Sequence, residues 1–192
     1  MTLEVIQLNK TIRQVSSRLH FQWWEKLNMS SWQHLAKDNE LIRQRLDNVI
    51  LSRIKHQDFM LKEDIESIYK WLVIIDKLPA LSIAAGLIVQ GCPDYIWDTQ
   101  YRQEMQQRFS QSEIEQLIAL WPHNHHSPLW APEEMLLKAE YFSASALYHL
   151  WNGHPFWTIL SLSLPIVESP IELSQTENEG VVSWMFRLEK FL

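Results

Sequence analysis

Histidine clusters, paired carboxylates and a lone thiol are where this sequence could do chemistry. His123, His125 and His126 fall within one short stretch, and His149 and His154 follow further along. Three imidazoles so close together could ligate zinc. A helix-borne zinc site, however, wants His at i and i+4 with a glutamate between, and neither a cysteine nor a carboxylate lies inside this cluster. The expected reading is an exposed histidine loop. A metal-dependent hydrolase using His123, His125 and His126 is kept as the minor alternative. Glu133 and Glu134 follow Pro132 directly. Proline opens helices and acids suit their first turn, so this pair reads as a helix start rather than as an acid–base dyad. Cys92, between Gly91 and Pro93, reads as a buried and inert thiol, because a nucleophile needs a nearby histidine and an electropositive setting. The chain has no GxSxG, Walker, GxGxxG or HExxH pattern. We read it as non-enzymatic, with no catalytic residue, no metal ligand and no cofactor.

The tryptophans are the better lead, ten in 192 residues. Indoles anchor both cores and interfaces. Trp23 and Trp24 are adjacent, so on one helix they point about 100° apart and cannot both be fully buried in a thin domain. Trp97 sits on a polar segment, and Trp130 lies in a loop between prolines. These four are the candidate interface residues, since exposed aromatic patches mark partner surfaces.

The elements that must position them read as helices. Residues 2–8 alternate weakly and suggest a short extended arm. Ile12, Val15, Leu19 and Trp23 then recur at helical spacing, as do Leu46, Val49, Ile50 and Ile54 further on. Residues 80–90 are apolar nearly all round and predict a buried central helix. Ala84, Ala85 and Gly86 would allow close approach there, and Gly91 is a natural stop. One surface helix is expected over 94–109, and another after the Ser110 cap. The stretch 121–165 organises the chain: Trp121-Pro122 ends a helix, a rigid crossing carries Pro128, Trp130 and Pro132, and a long helix follows over 132–151. Residues 166–180 are polar and predict a mobile loop before a final helix over 181–192. Four glycines and no hairpin signal argue against a sheet. The expected fold is all-α, one multi-helix domain over 1–192.

Composition bounds the rest. Hydrophobic residues make up 46% and charged residues 21%, the proportions of a folded protein. The net charge of −6 and the scattered lysines and arginines argue against nucleic acid, whose phosphates demand a basic face. The N-terminus lacks the basic start and apolar core of a signal peptide. The longest apolar run, 78–89, is too short for a bilayer, which needs about 20 residues. A soluble cytoplasmic protein is expected, with any membrane association passing through a partner.

The organising stretch resembles the SctK family (YscK, PscK, OrgA and MxiK), accessory subunits of the type III secretion sorting platform. The shared pattern is Trp121-Pro122, then Pro128-Leu129, then Pro132 with Glu133 or Glu134 behind it, then Trp151, then Leu162-Ser163-Leu164-Pro165. Upstream, residues 85–91 (AGLIVQG) are similar to the family's Leu-Gly-Leu-Val-Leu-His-Gly helix, and Gln7-Leu8 and Leu19-His20 echo its opening. The histidine cluster is not part of that pattern. The resemblance implies an α-helical, non-enzymatic adaptor. It would link the cytosolic forkhead-associated-like domain of the inner-membrane ring protein SctD to the SctQ-type pod. Through the pod it would reach the SctL stator and the SctN ATPase. The competing reading is a secretion chaperone or helper that binds one client.

Overall fold

The computed structural model describes residues 3–37, 40–55, 65–122 and 126–192, and no strand occurs among them. The fold is all-α. In chain order the helices are α1 (Leu3–Ile12), α2 (Phe21–Lys26), α3 (Glu40–Arg53), α4 (Ile65–Ile74), α5 (Leu78–Gln90), α6 (Asp94–Trp97), α7 (Thr99–Met105), α8 (Gln111–Leu120), α9 (Pro132–Trp151), α10 (Trp157–Leu160) and α11 (Gln175–Leu188). Short 3-10 turns cover Ser30–Lys37, Ile75–Lys77 and Ser161–Ser163. The chain divides into two compact units. One comprises Met1–Asp76 and Gly153–Ile166, the other Lys77–Asn152 and Val167–Leu192.

The second unit is built on three helices, α5, α9 and α11, each packed on the other two. The apolar character of α5 matches its burial, with Leu78, Leu81, Ile83, Ala84, Ala85, Leu87 and Ile88 all inside. Small residues set the spacing. A methyl group added at Gly86 would strike the backbone carbonyl oxygen of Ala139 in α9. Beside it, the Ser143 hydroxyl donates to the Ser82 carbonyl at 2.7 Å, so the helices are joined by a polar contact as well. Gly91 ends α5 in the left-handed conformation, φ 64°, which costs glycine nothing, and its N–H donates to the Leu87 carbonyl. Ser110 and Glu113 form the expected reciprocal cap of α8.

The first unit consists of shorter pieces joined by side chains. Arg18 is buried and donates to the carbonyls of Thr11 and Ile12 at 3.1 and 3.0 Å, closing the C-terminal end of α1. A cation there also complements the negative end of the helix dipole. Asp47 of α3 is buried too, and accepts from the Ser16 N–H at 2.7 Å.

Five expectations are corrected. The helix expected through Ile12, Val15, Leu19 and Trp23 is interrupted: α1 ends at Ile12 and α2 begins at Phe21, with turns between. The extended arm is instead the helix α1, because apolar residues one turn apart outweigh the weak alternation. The single helix over 94–109 is two: Asp98 turns extended, ψ 139°, and its carboxylate accepts from the Gln100 N–H, capping α7. The loop over 166–180 is shorter, because a Ser174–Glu177 capping box starts α11 at Gln175. That loop is also tied down: the Tyr141 hydroxyl donates to the Ser169 carbonyl, and the Ile171 N–H donates to Ser145 Oγ. Finally, the run Ile68–Gln90 is 23 residues long and its most apolar window has a mean hydropathy of 2.0, so length alone does not exclude a membrane span. What favours a core role is its burial, 67% of its most apolar window.

Candidate protein-interaction surface

The crossing between α8 and α9 is held by two tyrosines. The Tyr95 hydroxyl accepts from the N–H groups of Leu129 and Trp130 at 3.0 and 3.2 Å. The Tyr101 hydroxyl donates to the Trp130 carbonyl at 2.8 Å. The Trp130 ring stacks on Tyr95, with centroids 5.8 Å apart and planes 6° from parallel, and meets Phe142 edge-on. Trp130 is therefore half-buried framework that positions its neighbours. Leu129 projects outward, 68% exposed. Burial raises the Tyr95 hydroxyl above its ordinary pKa, and the two N–H donors oppose that shift.

The other sequence-selected residues fall into two groups. Trp121 caps the C-terminal end of α8 and is buried, Pro122 is half-buried, and Pro128 is exposed. Pro132 occupies the first turn of α9, and Trp151 is its last residue. In the first unit Leu162, Leu164 and Pro165 are all buried. The pattern residues are thus mainly helix ends and core, which positions surfaces without forming one. Among the four interface candidates, Trp24 is corrected: at 2% exposure it is core, because its neighbour Trp23 takes the outward-facing position on α2. Trp23 is half-buried, with its indole N–H donating to the Ser161 and Leu164 carbonyls at 2.9 and 3.1 Å. Trp97, at 63%, is the indole left open.

Among the described residues, the side chains that could do chemistry do not converge. His123 and His125 lie outside the described residues, and His126 is exposed. His149 Nε2 lies 2.8 Å from the Ile171 carbonyl, and His154 Nδ1 accepts from the Phe156 N–H. Among the described residues no three potential ligands gather around a metal-sized space. Glu133 and Glu134 are exposed in the first turn of α9. Cys92 is buried, and burial pushes its thiol up, away from nucleophilic chemistry. A cleft of about 380 Å³ between α1 and α3 is lined by Lys10, Arg13, Arg43 and Asp47. Two of its side chains are committed locally: Arg43 pairs with Glu40 at 2.7 Å, and Asp47 holds the Ser16 N–H.

Sequence reasoning missed the carboxylates beside Trp97. Asp94 and Asp98 flank it in sequence, and with Glu133 of α9 they are the carboxylates that act on Tyr101. All three act electrostatically on the Tyr101 hydroxyl, raising its pKa beyond the effects of burial and of Cys92. The spacing Asp94-x-x-Trp97-Asp98 was the available signal.

Fold and composition together define an all-α protein with a net charge of −6. The type III secretion system subunit family (T3SS_LEE_assoc) matches residues 6–166, and the chain belongs to that family. No curated protein and no solved structure matches the chain. The match carries the type III secretion role seen in the sequence resemblance, and it spans both compact units.

Proposed function

We propose that this subunit is an SctK-type adaptor of the sorting platform and catalyses no reaction. It works in the cytoplasm, attached to the inner-membrane secretion apparatus through its partners. One contact would be the forkhead-associated-like domain of the ring protein SctD, another the SctQ-type pod, with the SctL stator and SctN ATPase beyond. What supports this reading is the ordered pattern from Trp121-Pro122 to Leu164-Pro165, inside a chain that belongs to a type III secretion subunit family. The physical design suits the role. A linker that transmits position needs stiff elements, and the 20-residue α9, pinned at its start by the Tyr95–Trp130 stack, is one.

The test is deletion of the gene followed by measurement of all secreted classes. The adaptor reading expects every class to stop, and expects the purified protein to co-elute with the pod protein. Loss of a single client would favour a chaperone, and undiminished secretion would remove the proposal.

A further inference from the structure

The cleft of about 380 Å³ between α1 and α3 is lined throughout by polar and charged side chains. Lys10, Arg13 and Arg43 give it three cations, and Gln14, Gln44 and Asn48 give it three carboxamides. The Lys10 ammonium makes no ion pair or hydrogen bond among the described residues. Asp47 belongs to the wall although it is only 6% exposed. Its Oδ1 accepts from the Ser16 N–H at 2.7 Å. Its Oδ2 has no hydrogen-bond partner among the described residues and is not sealed from solvent. Both walls are anchored in the core, by Ile12 on α1 and by Leu46 and Ile50 on α3. Asp47 also ties α3 to the turn after α1, so the cleft is preformed. The local charge is opposite in sign to that of the whole. Residues 10–55 carry nine lysines and arginines against four acids, in a chain of net charge −6.

The lining selects among occupants. A run of phosphates needs cations without acids, and Glu40 and Asp47 stand in this wall. An apolar ligand would meet only polar side chains. An extended peptide backbone presents N–H and C=O groups in alternation, and a carboxamide answers either one. Asp47 Oδ2 is placed to accept a further backbone N–H, as a charge-assisted bond. Acidic side chains on the same peptide would then meet Lys10 and Arg43. Arg43 spends one nitrogen on Glu40 and keeps other N–H groups to give. The basic surroundings also draw an acidic segment in and repel a basic one.

We propose that the cleft between α1 and α3, with Lys10 and Arg43 in its wall beside Asp47 and three carboxamides, docks an extended, acid-bearing segment of a partner protein. This rests on the adaptor reading and deepens it by giving the chemistry of one contact.

The first experiment titrates the full chain, labelled with nitrogen-15, with a blocked glutamate–alanine–glutamate–alanine–glutamate peptide, its glutamine and lysine counterparts, and tripolyphosphate. The side-chain amide signals of Gln14, Gln44 and Asn48 are assigned by replacing each residue with alanine. The glutamate peptide is expected to shift those signals saturably. Its affinity should fall about tenfold in a Lys10→Gln, Arg43→Gln double variant, the scale of a charge-assisted hydrogen bond. The glutamine peptide and tripolyphosphate should bind more weakly, and the lysine peptide not at all. No movement of the three side-chain amides overturns the proposal. So does equal binding of the glutamine peptide, tighter binding of tripolyphosphate, or equal movement around unrelated cations such as Arg108 and Lys190. The second experiment measures secretion in cells carrying Lys10→Glu with Gln44→Glu, two exposed positions that leave the Arg43–Glu40 pair intact. The variant's melting midpoint is checked against the parent. Lost secretion with an unchanged midpoint is expected. Normal secretion from this variant, in cells where gene deletion stops secretion, overturns the proposal and leaves the adaptor reading standing. Normal secretion after deletion itself removes the adaptor reading instead.

Discussion

The two compact units reach order by different means. In the unit built on α5, α9 and α11, helices pack on one another along their length and approach closely where a side chain is small, as at Gly86 against Ala139. In the unit containing α1 to α4 and α10, helices that apart from the 14-residue α3 are 10 residues or fewer, and 3-10 turns, are joined by side chains reaching to distant backbone groups. Trp23 reaches Ser161 and Leu164, Gln22 accepts from the Ile166 N–H, and Asp47 accepts from the Ser16 N–H. The reason is geometric. Long helices satisfy their own backbone and need only a complementary face. Short ones leave a large share of their terminal N–H and C=O groups unpaired, and something else must meet them.

The largest effect should come from breaking the close approach. Gly86→Leu places its Cβ against the Ala139 carbonyl, a backbone atom that cannot rotate away. We expect a loss of about 3 kcal/mol, the upper part of the range for overpacking. Chemical denaturation measures it, and an unchanged midpoint would show that α5 and α9 do not meet at Gly86. On the other side of the comparison, Arg18→Met keeps the apolar stem but leaves the buried Ile12 carbonyl without its donor, while the Thr11 carbonyl keeps the Gln14 N–H. The expected cost is about 2 kcal/mol, the penalty for an unmet buried acceptor. If Arg18→Met were neutral, the first unit would depend on packing as the second does. Trp23→Phe sharpens the same point more gently. It keeps an aromatic ring but removes the bonds to Ser161 and Leu164, at about 1 kcal/mol. Hydrogen exchange at the α10 amides should rise by the corresponding factor.

Legibility in the sequence follows the same division. The second unit's elements were readable because period and punctuation agree there. The apolar run of α5 stops at Gly91, Pro132 opens α9, and Ser110 with Glu113 marks α8. The misjudged places are those where a polar side chain decides. Asp98 splits α6 from α7 by turning its carboxylate onto a backbone N–H, and Ser174 starts α11 inside a stretch whose composition reads as loop. Trp23 and Trp24 show the limit on the site. Adjacency told us that one of them must face outward, but only packing could choose which, and Trp24 went inside. The influence of Glu133 on Tyr101 needed the fold, because Glu133 is remote in sequence and arrives with α9.

The smallest effect at neutral pH should be the most specific to the second unit. Tyr95 is fully buried, and burial raises its hydroxyl pKa in the folded state above that of the unfolded chain. The folded protein therefore holds this proton more tightly. The resulting stability is fully present below the unfolded tyrosine pKa, near 10, and is lost as pH rises through the higher folded value. Tyr101 shifts in the same direction, so both hydroxyls that hold the 128–132 crossing weaken together. Thermal melts across the alkaline range should show stability falling beyond pH about 10, with a shallower slope in Tyr95→Phe. The phenylalanine variant starts lower at neutral pH, because Leu129 and Trp130 lose an acceptor, so slope rather than midpoint is the readout. Trp23→Phe should leave that slope unchanged, since its bonds contain no group titrating there. Equal slopes in the parent and Tyr95→Phe would mean that the Tyr95 hydroxyl does not couple the crossing to alkaline stability.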